Sequence, residues 1–358
     1  MGFRKSFDSQ TTLQFSVRAL GITAIAAAAG LFSLTAQAQS SASLPLSRAI
    51  PLAGVQGRFD HFAVDLAGNR LFAAATGNHS VEVIDLKTDK VAQSITGLGK
   101  PHGLAWVADA GSLYVADGAL AELRVYRGAP LKLAGSIKLS ADADDMVYNG
   151  ARHQLYVGHG GSSAAEPGKI AVIDTASFSL VANLPAASHP EALDLDEAGQ
   201  RIFANIADSS QVAVIDGAHN EVASLWKLSG ASDNVPMAYD GEHHVLYVAC
   251  RTPATLIALD AASGAELSRV PTGNGADDLF YDASLSRVYV IGGGGQVDAF
   301  QVNADKKLIA IGTIRTAPGA KTALFVPSHR ALYVGVPSTE GHPAEIRVFS
   351  TSAAQESK

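Results

Sequence analysis

The sequence predicts an all-β fold: a seven-bladed β-propeller of four-stranded blades, the last blade closed by the N-terminal strand. Three observations predict it. A short aromatic-centred segment recurs seven times, each copy sits in the same order of strands and turns, and the last copy lacks a strand that the start of the chain can supply.

The recurring segment reads NRLFAAA, GSLYVAD, HQLYVGH, QRIFANI, HVLYVAC, SRVYVIG and RALYVGV, centred on Phe72, Tyr114, Tyr156, Phe203, Tyr247, Tyr289 and Tyr333. Successive aromatics are 42, 42, 47, 44, 42 and 44 residues apart. A period in the forties with several short strands per copy is the pattern of propeller blades. Each unit opens with an inner strand such as HFAVD, GLAWV, EALDL or DLFYD. A turn rich in Gly, Asn, Asp or Ser follows, then the aromatic strand with its period-2 alternation and β-branched residues. The third strands are VEVID, LRVYR, IAVID, VAVID, LIALD, QVDAF and IRVFS, and several end in an Asp that can hold the next turn. Weaker fourth strands, such as VAQSITG and LAGSIKL, complete the units.

The seventh unit stops at its third strand, IRVFS, ahead of the polar tail 352–358, whereas LSRAIPLAG before unit one has no unit of its own. Pairing the two closes the ring and removes an exposed sheet edge. The propeller therefore spans 46–351 as one domain.

Ahead of it, Arg4, Lys5 and Arg18 precede an Ala-rich apolar run over 19–36 and the small-residue site Ala36-Gln37-Ala38. That order describes a signal peptide over 1–38, cleaved near Ala38, with 39–45 a disordered leader and a periplasmic or secreted destination. No later apolar run is long enough to span a bilayer. The leader carries three positive charges and one negative, so its removal takes the formal charge from −7 to −9. An acidic chain gives no general reason to bind nucleic acid. The one cysteine, Cys250, excludes an intramolecular disulfide, so stability rests on the core, to which a 47% apolar composition contributes. A monomer is expected.

The LYVA…VID unit resembles the YVTN-repeat β-propeller family in its YncE-like secreted group, over essentially the whole chain from Leu46 to Ser350. Units one and four depart from it in carrying Phe where the motif has Tyr. The resemblance implies a seven-bladed propeller outside the cytoplasm. It assigns no catalytic residue, because the repeat motif is structural and the family is functionally mixed.

Function must then be sought where the inner strands enter the central channel. Counting back 11 or 12 positions from each aromatic gives Asp60 and His61, His102, Asp144 and Asp145, Glu191, Asp277 and Asp278, and Lys321; unit five offers Asp233 and Asn234 slightly earlier. Arg251, just after the second strand of unit five, points over the same face. Polar residues at a wet channel mouth need no ligand, and an Asp before a strand often only satisfies backbone N–H groups. Several carboxylates and histidines around one axis nevertheless resemble the convergent polar groups of a binding pocket, and like charges so placed call for a cation, a proton or Lys321. Asp60, Glu191, Asn234 and Asp277 suit a divalent cation such as Ca²⁺ or Mg²⁺, while His61 and His102 shift the preference toward a transition metal.

Other features carry less. Gly292 to Gly295 precede no helix, so they are not a phosphate cradle. Glu242, His243 and His244 sit in a turn without the helical spacing of a zinc motif. His153 and His329 lie in the corresponding turns, and His159 and His342 ride on the loops 158–169 and 335–345, where exposure is the expected state. No GxSxG elbow, CxxC pair or haem-attachment motif is present. Two readings follow. One is a propeller that binds a small ligand, a metal ion or a partner protein at its channel mouth without catalysis. The other is a metal-assisted lactonase, hydrolase or lyase acting on a small carboxylate or lactone, with His102 or His61 as general base and Arg251 or Lys321 holding the substrate carboxylate.

Overall fold

The structure is a computed structural model that describes residues 44–163, 166–196 and 198–352. The expected signal peptide over 1–38 and most of the leader and polar tail lie outside these residues. Seven antiparallel four-stranded sheets follow one another around a ring, and the last combines the strand Leu46–Leu52 with Ala344–Ser350, Ala331–Val336 and Ala323–Val326. The closure takes the form expected from the sequence: Arg48 pairs with Val348, Ile50 with Ile346 and Leu52 with Ala344. Ile50 and Leu52 are fully buried along this seam. Leu44 is also buried, and the Pro45 carbonyl accepts the Ser350 N–H at 2.9 Å, so packing begins ahead of the strand itself. Ile50→Val, which removes one methylene from the seam, is expected to cost about 1 kcal/mol in denaturant unfolding.

The repeated aromatic has a mechanical role. All seven are buried, and in four blades the ring packs against an aromatic of the following blade's inner strand. The pairs are Phe72 with Trp106 (5.5 Å between centroids), Phe203 with Tyr239 (5.7 Å), Tyr247 with Tyr281 (5.4 Å) and Tyr289 with Phe325 (6.2 Å). Each such pair contributes about 0.5–1.5 kcal/mol beyond the area it buries. The motif thus welds blade to blade, and Phe serves as well as Tyr because the ring does the packing. The aspartates that end the third strands hold turns as anticipated: the Asp85 carboxylate accepts the Lys87 N–H at 2.8 Å, and that of Asp216 the Ala218 N–H at 2.7 Å.

Below its mouth the channel holds a cavity of about 440 Å³ lined by Phe62, Met146, Leu193, Met237, Leu279 and Phe325 among others, with His61, Asp145 and Asp278 at its upper end. Among the described residues no helix is long and apolar enough to cross a membrane.

Candidate functional site at the channel mouth

The inner strands begin with a bulge. In blade 1 the Asp60 N–H donates to the Ala74 carbonyl (2.8 Å) and the Ala74 N–H to the His61 carbonyl (3.1 Å), so two residues oppose one. Asp144 and Asp145 stand opposite Gly158 in the same way. Register skips between Pro101 and Leu104, Pro190 and Leu193, Asn234 and Met237, and Ala276 and Asp278 mark the equivalent place in four more blades. A bulge breaks strict alternation and re-aims side chains, which lets Asp60 and His61, adjacent in sequence, both line the mouth. Gly103 is required here: a Cβ would lie 2.3 Å from the Asp144 carbonyl oxygen.

The resulting cavity, about 230 Å³, gathers Asp60, His61, His102, Asp144, Asp145, Glu191, Arg251, Asp277 and Lys321, all singled out in the sequence. It also gathers four residues that were not: Arg58, Lys100, Asp142 and His189. They stand fourteen positions before their aromatics, two before the residues of the inner tier. Extending the same count by two would have found them, and the parallel of Lys100-Pro101-His102 with His189-Pro190-Glu191 is the visible signal.

Asn234 is not part of this assembly. Blade 5 presents Val235 at the ring position, and Asn234, one residue earlier, is fully buried with its amide donating to Asn205 Oδ1 (2.8 Å) and the Gln211 carbonyl (2.9 Å). Asn234→Ala is expected to cost about 1–2 kcal/mol in stability through these bonds and to leave metal affinity at the mouth unchanged in titration.

Within the mouth the charges are interlocked. Asp60 Oδ2 lies 2.5 Å from His102 Nδ1 and 3.0 Å from Arg58 Nη1. Asp277 is held by Arg251 and by Lys321 Nζ at 2.5 Å, and Lys100 pairs with Asp142 at 3.2 Å. Asp144 sits between histidines: Oδ1 is 3.5 Å from His102 Nδ1 and 3.9 Å from His61 Nε2, and Oδ2 is 3.5 Å from His189 Nε2. Burial works against ionising Asp60 and Asp144, but the histidines, joined by Arg58 at Asp60, outweigh it and hold both carboxyls below their ordinary range. Burial likewise opposes a charge on His61, yet Asp145, Asp278 and Asp60 raise it well above the usual imidazole value. His189 rises to about 9 against its own burial, chiefly through Asp144 and the Gly160 carbonyl.

Glu191 differs from the other carboxylates here. It has no hydrogen-bond or ion-pair partner among the described residues. Burial first, then the negative charge of Asp144, pushes its carboxyl up to about 7. Among described residues Asp60, His102 and Asp144 form one group with ligand atoms within 4.8 Å of one another, and Asp144, His189 and Glu191 form another. His102 is 3% exposed, and its Nε2 has no hydrogen-bond partner.

The second aspartate of each pair does structural work. Asp145 Oδ2 accepts the Leu193 N–H of the next blade at 3.0 Å, and Asp278 Oδ2 accepts that of Ala323 at 2.6 Å. Asp194 does the same for Tyr239 at 2.7 Å. Three inner strands are thus stitched to their neighbours, with Asp278 also facing His61 at 3.4 Å. The turn histidines have local partners: His243 with Asp240 (2.8 Å), His244 with Tyr239 (2.9 Å), His153 with Tyr148 (3.2 Å) and His329 with Tyr333 (3.0 Å). His159 corrects an expectation. It ends a strand, is 1% exposed, and bridges the Ser140 N–H and Asn183 Oδ1.

No family model matches the chain, and no curated protein does. Solved structures do. A chain of the mitotic checkpoint complex superposes with a TM-score of 0.72 at 14% identity, over 95% of this chain and 98% of that one. A chain of Kuenenia stuttgartiensis hydrazine synthase gives 0.71 at 17% identity, covering 83% and 98%. The structure of U3-55K gives 0.70 at 12% identity, covering 85% and 98%. At these identities the likeness is one of fold, and it agrees with the seven-bladed ring built above.

Proposed function

We propose that this chain is a binding protein of the YVTN-repeat, YncE-like kind whose channel mouth holds a divalent transition-metal ion and, through it, a small ligand. The observation that carries this reading is the triad of Asp60, His102 and Asp144, three ligand atoms within 4.8 Å of one another at the base of a polar cavity. The lining holds six carboxylates (Asp60, Asp142, Asp144, Asp145, Glu191 and Asp277) against four fixed cations (Arg58, Lys100, Arg251 and Lys321), and the two remaining negative charges are offset by His61 and His189, whose raised imidazole values mark protons that a metal ion would displace. Mixed nitrogen and oxygen donors suit a transition metal better than Ca²⁺ or Mg²⁺. A metal held by Asp60, His102 and Asp144 would stand in this cavity, where a small carboxylate could reach it. The apolar run and small-residue site at 1–38 support a periplasmic or secreted location.

Calorimetric titration of chelator-stripped protein with Zn²⁺ and Mn²⁺ tests the reading. Saturable binding at micromolar concentration or tighter is expected; no heat at millimolar metal would end it.

One observation favours the enzyme reading: Glu191, unpaired, opens into the same cavity as the triad. A metal held by Asp60, His102 and Asp144 would supply Lewis-acid activation, and Glu191 would be placed to serve as general base. Chelator-sensitive hydrolysis of a lactone, lost in Glu191→Gln, would establish that activity; a silent panel of lactones and carboxylate esters would leave binding as the function.

A further inference from the structure

We infer that the mouth is built for two metal ions, with Asp144 as the bridging carboxylate. The inference rests on the metal-binding reading above and adds to it the number and arrangement of the ions. The two oxygens of Asp144 face two different histidines: Oδ1 lies 3.5 Å from His102 Nδ1, and Oδ2 lies 3.5 Å from His189 Nε2. Each histidine has a carboxylate of its own, Asp60 on one side and Glu191 on the other. The five residues form two groups that share Asp144 rather than one group. A single ion keeps its donors within about 4.2 Å of one another, twice a metal–ligand bond, so it cannot take all five where they stand.

Two independent features point the same way. His189 Nδ1 donates to the Gly160 carbonyl at 2.6 Å. That bond orients the ring and leaves Nε2, whose proton faces Asp144 in the metal-free protein, as the nitrogen a metal would take, as the outer-shell partner of a metal-ligating histidine does. His102, with a side chain 4% exposed, turns Nδ1 to Asp60 and Asp144, while its Nε2 makes no hydrogen bond and lies 3.9 Å from Asp142 Oδ1. Carboxylate-bridged pairs hold their ions about 3.5–4 Å apart and clamp a ligand between them. Two dications would displace the imidazole protons that offset the two excess carboxylates and would still leave net positive charge, so an anionic co-ligand such as a small carboxylate would be drawn in.

Metal stoichiometry decides the matter on folded, full-length protein. Chelator-stripped protein loaded with Mn²⁺ is expected to bind two equivalents and to show the exchange-coupled paramagnetic resonance spectrum of a close pair. His189→Ala and His102→Ala should each retain one equivalent with an uncoupled six-line spectrum, and Asp144→Asn should lose the coupled pair. His189→Gln, read alongside circular dichroism, repeats the test if the alanine variant does not fold. One uncoupled equivalent in the wild type would overturn the two-ion inference while leaving metal binding intact. No bound Mn²⁺ or Zn²⁺ at all would overturn both.

Discussion

Asp144→Asn is expected to weaken the binding of Zn²⁺ or Mn²⁺ by more than about 100-fold, measured by calorimetry on chelator-stripped protein. Changes to the residues that merely orient metal ligands already cost about 10–100-fold, and Asp144 belongs to both ligand groups. The amide keeps size and shape but removes the charge that faces His102, His61 and His189. Structural damage is separable from loss of affinity, because the backbone bonds of the bulge, from the Asp144 N–H to the Gly158 carbonyl and from the Gly158 N–H to the Asp145 carbonyl, do not involve the side chain. A folded Asp144→Asn variant that bound metal as the wild type does would remove the mouth from consideration.

Glu191→Gln is expected to stabilise the metal-free protein at pH 8 by about 2–3 kcal/mol. The sign follows from the direction of the shift. Burial and the charges of Asp144 and Asp277 raise the folded-state carboxyl to about 7, against the opposing pull of His189 and Arg251. A raised carboxyl means that the folded state holds its proton more tightly than the unfolded chain. The penalty is absent below the unfolded value of 4.5, grows as pH rises toward 7, and is complete above it. Glutamine removes the charge and with it the penalty, so the gain should vanish in unfolding experiments at pH 4. The same variant should bind metal less well. A residue whose replacement adds stability and subtracts binding is kept for the site rather than for the fold.

Much of the fold was legible in the sequence because its cause is repeated. The aromatic of each unit packs against the next blade, so the constraint recurs seven times and a period can be counted. The closing strand was legible for the complementary reason: a unit without a fourth strand and a strand without a unit. The site was legible in its inner tier because Asp60, His102, Asp144, Glu191, Asp277 and Lys321 share one register with the aromatics. Two misreadings have physical reasons. Asn234 lies one residue short of the ring position, which falls to Val235, and its buried amide is taken up by Asn205 Oδ1 and the Gln211 carbonyl. His159 was placed on an exposed loop, but the strand runs on to include it. His189 escaped notice because proline separates it from Glu191 and the count stopped two residues short. The roles of Asp145 and Asp278 as inter-blade stitches were beyond sequence, since the acceptor geometry depends on how neighbouring blades twist together.

The most direct measurement is anomalous diffraction at the zinc edge from crystals of the zinc-loaded protein. Density is expected at the channel mouth within coordination distance of Asp144, with His102 or His189 completing the contact. Crystals whose anomalous density lies only at surface histidines such as His219, with none beside Asp144, would contradict it.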